Sequence, residues 1–123
     1  MNRNDSCKKM TVADGLRRLP NPEGKQFATI FEHGTLEVEI YAPRGNDPQS
    51  PHRRDELYFV AAGEGEYVCG DTRQSFGPTD LLFAAAGVSH RFESFSDDLT
   101  LWVIFYGPDG GEAKLSENKM PRT

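Results

Sequence analysis

Apolar and polar residues alternate strictly through "TLEVEIYA" at 35–42. Leu36, Val38 and Ile40 share one side, and Glu37, Glu39 and Tyr41 the other. That period of two marks a strand with one covered face, and it predicts Glu37 and Glu39 toward solvent. Further short apolar runs follow: "ELYFVAA", "EYVC", "TRQSF", "DLLFAAA", "SHRFESF" and "TLWVIFYG". Between them stand turn signals, among them the Gly70-Asp71 pair expected to close a hairpin and the glycine at 87. Seven or eight strands at short spacing, with no long helical period, predict an all-β antiparallel sandwich or barrel.

Before the strands, Val12, Leu16 and Leu19 recur at helical spacing, so one short amphipathic helix or an arm is expected. The "PNP" at 20–22 ends it, because proline lacks an N–H and disfavours helix in the residue before it. The "PRGNDPQSP" segment at 43–51 is a loop by its turn residues. A barrel core over about 27–107 is thus flanked by an arm, 1–26, and a polar, glycine-rich tail, 108–123, expected to be mobile unless it packs on a partner. In "LYFV" and "LWVIFY" both faces are apolar and need cover on both sides. A second sheet, the arm or another subunit would supply it, and a homodimer is the preferred expectation.

A chain of 123 residues is one domain and long enough to bury a core without disulfides. Its net charge of −5, with scattered basic residues, repels phosphate backbones and argues against nucleic acid. No apolar run has the length of a membrane span, and the first ten residues lack a signal peptide's apolar core. Cys7 and Cys69 are widely spaced and outside any CxxC pattern, which fits two reduced thiols. A soluble, cytoplasmic protein is expected.

The chemistry gathers at "SPHRRDELYF", 50–59. On one straight strand His52 and Glu56 would lie about 13 Å apart, too far to share an ion. A turn at Arg53-Arg54-Asp55 would make them cross-strand neighbours roughly 5 Å apart. The same pairing sets Ser50 opposite Tyr58. An imidazole facing a carboxylate makes either a hydrogen-bonded pair or half a metal site. His90, just past the Gly87 corner, can reach the same mouth and serve as a third ligand.

These residues resemble the cupin family of small jelly-roll barrels. Of its first motif, G(x)5HxH(x)3–4E(x)6G, the chain has His52, Glu56 and Gly63 at matching spacing. Of its second, G(x)5PxG(x)2H(x)3N, it has Gly87 and His90. Ser50 stands at the motif's first histidine, Thr79 at the leading glycine of the second motif, Ala85 at its proline and Ser94 at its asparagine. The resemblance implies a jelly-roll barrel holding a divalent metal, with two histidines and one carboxylate in place of the family's three histidines and glutamate. Such a set suits Fe(II) with open positions, and also accepts Mn, Ni or Zn. The alternative is an empty mouth in which His52 and Glu56 are simply paired.

Tyr58, Phe83, Phe92 and Trp102 are candidates to line a small-molecule pocket, with Ser50 beside the ligands; Arg54 and Arg91 flank them and either receive a substrate carboxylate or stay solvated. His33 is expected at the surface. No serine or cysteine stands in a nucleophile context. The expected function is a metal-dependent cupin acting on a small organic molecule by oxygenation, isomerisation or decarboxylation. The rival is a non-catalytic module that binds a small ligand or a structural ion. No catalytic residue is assigned, since this fold hosts many chemistries.

Overall fold

The computed structural model describes residues 6–114. A short helix, α1 (Val12–Leu16), precedes eight strands: β1 (Phe27–His33), β2 (Leu36–Tyr41), β3 (Asp55–Ala62), β4 (Gly65–Cys69), β5 (Thr72–Phe76), β6 (Leu81–Ala84), β7 (His90–Glu93) and β8 (Thr100–Tyr106). They form two antiparallel sheets, ordered β1-β2-β8-β3-β6 and β5-β4-β7. The fold is a jelly-roll-like pair of antiparallel sheets, all β among the described elements apart from α1 and a 3-10 turn at Glu112–Lys114. Gly70, with φ +56, makes the tight β4–β5 hairpin with Asp71.

Side chains directly opposite each other in a ladder share a face. On β8, Leu101, Val103 and Phe105 point inward and join Tyr58, Val60, Tyr67, Phe92 and Leu99 in the core. Each such side chain removes about 1.5–3 kcal/mol worth of apolar surface from water. The same ladder pairs Glu37 with Phe105, Glu39 with Val103 and Tyr41 with Leu101. Glu37 and Glu39 therefore face the barrel interior, and the expectation that they face solvent is corrected. The alternation is real, but it is symmetric, and the register on β8 chooses the side.

Ile40, on the outer face, is nonetheless fully buried, because α1 lies on it. The helix touches through Gly15, where an added Cβ would come within 3.0 Å of the Ile40 side chain. Leu16, expected on the packed face, is exposed instead. Thr11 caps the helix by accepting the Asp14 N–H at 3.0 Å. Beyond α1's reach the outer face stays apolar: Leu57, Phe59, Trp102 and Ile104 are half-buried, and Leu81 and Phe83 are 65% and 49% exposed.

The corner before β3 also departs from expectation. No strand forms over 43–54, so no ladder sets Ser50 opposite Tyr58. Asp55 is not a turn residue but the first residue of β3, and it is buried. Its carboxylate accepts the N–H groups of Ala86 at 3.0 Å and Glu112 at 2.8 Å. The first part of the polar tail is thus anchored, with the Gly110 N–H also donating to the Arg53 carbonyl. The rest of the tail, 115–123, and residues 1–5 lie outside the described residues.

Candidate metal centre

Three elements bring the ligands together. Glu56 points inward from β3, opposite Phe105 on one side and Ala84 on the other. His52 comes from the loop before β3. Its carbonyl accepts the Gly87 N–H at 2.8 Å, which ties that loop to the corner leading into β7. Gly87 has φ +81, a conformation that costs glycine little. His90 opens β7 and is buried.

One ligand atom from each of His52, Glu56 and His90 lies within 4.8 Å of the other two. Glu56 Oε1 is 3.1 Å from His90 Nε2 and 3.8 Å from His52 Nε2. The His90 ring is oriented by its Nδ1, which lies 2.8 Å from the Val88 carbonyl. Nδ1 donating there leaves Nε2 with its lone pair toward the carboxylate. Glu56 Oε1 and His90 Nε2 are both buried and, although close, have no hydrogen-bond partner among the described residues, as fits two acceptors facing each other. Burial works against a charged His90 ring, but Glu56 and the Val88 carbonyl outweigh it and hold the group above its ordinary value.

A cavity of about 490 Å³ opens beside these residues, lined among others by Glu39, Tyr41, Gln49, Ser50, His52 and Glu56. The Glu39 carboxylate, unlike its backbone, makes no hydrogen bond or ion pair among the described residues. Burial, then Glu37 and then Glu56 push its carboxyl up to about 7, against a smaller opposing pull from Arg54.

The predicted pocket residues separate into distinct places. Ser50 lines the cavity and is exposed. Tyr58 is fully buried beneath it and donates to Gln49 Oε1 at 2.8 Å. Arg54 is committed elsewhere: it pairs with Glu37 at 2.7 Å, donates to the Thr35 carbonyl and lies over the Phe105 ring. It lines a second opening, shared with Glu39 and His52. Phe92 is a core residue, packed edge-on against Tyr58. Phe83 and Trp102 fall on the outer face, since they pair with Leu57 and Phe59, the alternates of Glu56 and Tyr58. These two are corrections, and their cause is strand parity. Arg91 pairs with Glu93, and His33 is exposed beside Phe31, far in sequence from the ligands.

The sequence pattern set Glu39 in solvent and marked neither Asp47 nor Gln49 as a site residue. Asp47 is a hub: Tyr41 Oη, Gln49 Nε2 and the Phe92 N–H all donate to its carboxylate. These bonds pin the 43–51 loop over the cavity. The "NDPQ" stretch carries ordinary turn chemistry, so nothing local marked Asp47 as an inward-facing acceptor.

Residues 37–106 match the family model described as "Cupin domain". The chain belongs to the cupin family. A curated relative, the uncharacterized protein SCO3923 of Streptomyces coelicolor, is 35% identical over 68% of this cupin and 81% of its own length. Solved structures share the fold. TT1209 from Thermus thermophilus superposes with a TM-score of 0.63 at 23% identity, covering 83% of this cupin and all of that chain. A cupin superfamily protein from Desulfitobacterium hafniense DCB-2 gives 0.57 at 14% identity, covering 67% and 76%.

Proposed function

We propose that this cupin holds a divalent metal ion through His52, Glu56 and His90 and acts on a small organic molecule in the adjoining cavity. The observation that carries this reading is the pair of buried, unpartnered atoms, Glu56 Oε1 and His90 Nε2, converging with His52. Leaving such groups unsatisfied costs about 1–3 kcal/mol each, and an ion would satisfy both. Two imidazoles and one carboxylate fit Fe, Mn, Ni or Zn and leave positions open. A bound ion would supply Lewis-acid polarisation of a ligand oxygen. The chain's own residues would orient that ligand and limit its access to water, with the 43–51 loop held down by Asp47.

A non-catalytic small-molecule module is the second reading, favoured by Ser50, which adds no strong donor to the three ligands. Metal analysis of purified protein tests the centre itself. Near one equivalent is expected in the wild type, with affinity reduced at least about 100-fold in Glu56→Gln and in His90→Ala. Full metal content in both folded variants would overturn the ligand set. Product formation from small oxyacids and phenols after Fe(II) addition then separates an enzyme from a binding module, for which stabilisation without turnover is expected.

Two broader proposals accompany this reading. A homodimer through the outer face of β3, β6 and β8 would cover Leu81 and Phe83, which α1 leaves open. Cys7 and Cys69 both carry free thiols, which supports a reducing compartment, the cytoplasm. No helix among the described residues is long and apolar enough to cross a membrane.

A further inference from the structure

Glu39 is an unusual member of the barrel lining. The β2–β8 register turns it inward, it lines the same cavity as His52 and Glu56, and its carboxylate has no hydrogen-bond or ion-pair partner among the described residues. A half-buried carboxyl without a partner gains from a donor brought to it. At the cavity's exposed rim the charge reverses. Lys25 and Arg44 line it there, and neither is paired with a carboxylate among the described residues. Arg44 is held in place by the Pro43 and Leu99 carbonyls, which leave its positive charge uncompensated. Between the two ends the wall is apolar, formed in part by Phe27 and Val103.

A molecule matching this lining is small and anionic at one end, with a hydroxyl donor at the other. We propose that the cavity takes a small hydroxycarboxylate, its carboxylate toward Lys25 and Arg44 and its hydroxyl donating to Glu39. This rests on the metal-centre reading only in placing the ligand's hydroxyl end beside the ion. Glu39 is then a ligand-binding residue that selects for the hydroxyl, not a metal ligand. A hydroxyl donated to Glu39 would stabilise the ionised form that burial disfavours.

Calorimetric titration of zinc-loaded protein with 6-hydroxyhexanoate and with hexanoate tests the assignment. The two acids differ by the hydroxyl. Wild type is expected to prefer 6-hydroxyhexanoate, whose hydroxyl lies at the far end from its carboxylate, and Glu39→Leu to shrink that preference by about tenfold or more, as loss of a hydrogen bond to a carboxylate implies. Glu39→Gln, nearly isosteric, guards against a disturbed fold and must also lower the preference. An undiminished preference in both variants would overturn the proposal. So would equal binding of the two acids, or binding of neither, by the wild type. Zinc content separates the two readings, since folded Glu39→Leu should retain it. Loss of zinc there would make Glu39 a ligand of the ion and sink the assignment. If the wild type takes up no zinc, the metal-centre reading fails alone, and the same acid pair on metal-free protein decides for or against Glu39.

Discussion

The Asp55 carboxylate accepts the Ala86 N–H at 3.0 Å, so the strand that carries Glu56 is bonded directly to the corner that leads to His90. The same carboxylate accepts the Glu112 N–H at 2.8 Å and ties the tail to both. Asp55→Ala is expected to destabilise the fold by about 2–3 kcal/mol, leaving two amides short of a charged acceptor. Thermal melts check the loss. Because Asp55 also sets the spacing between two ligands, metal affinity should fall in the variant even at temperatures where it stays folded.

Glu39 makes stability depend on pH in metal-free protein. Its carboxyl sits at about 7 in the folded chain against an ordinary 4.5, owing chiefly to burial. The folded state therefore holds the proton more tightly, and the resulting stabilisation is full below about 4.5 and is lost as pH rises through about 7. The change across that window is at most about 3 kcal/mol. Chemical denaturation at a series of pH values should show the decline. Glu39→Gln should flatten it, matching wild type at low pH and exceeding it at pH 8.

Gly63 closes the first motif for a steric reason. Its φ is +95, and an added Cβ would lie 2.6 Å from Leu99 Cα and 2.9 Å from Leu99 N. Leu99 is fully buried, so backbone must move to make room. Gly63→Ala is expected to cost about 1–3 kcal/mol from the dihedral alone, and more from the clash. Denaturant midpoints measure the difference. An unchanged midpoint would mean that the β3–β4 turn is not packed on Leu99.

The proposed dimer is tested at Phe83 and Leu81, which point away from the cavity. Phe83→Asp with Leu81→Asp is expected to yield a monomer by light scattering where the wild type is a dimer, with metal content preserved. A monomeric wild type at micromolar concentration would remove the outer face as a self-association surface.

Much of the candidate site could be read along the chain because its spacing is local. His52, Glu56 and Gly63 lie within twelve residues, and Gly87 and His90 within four, so two short patterns named the ligands and the fold family together. The loop between β2 and β3 was harder. Its turn residues announced a bend, yet the group that meets Tyr58 is Gln49, not Ser50. That choice depends on how Asp47 is seated between Tyr41, at the end of the preceding strand, and Phe92, from a strand distant in sequence.

By itself the sequence determined the strand texture and the identity of the three converging side chains, since alternation, turn chemistry and motif spacing are properties of neighbouring residues. Only the tertiary structure decided which side of each strand is the inside. A period of two is the same pattern viewed from either face, and pairing with β8 resolved it. That pairing turned Glu37 and Glu39 into the barrel, sent Phe83 and Trp102 out of it, and left α1 to bury Ile40 from the far side.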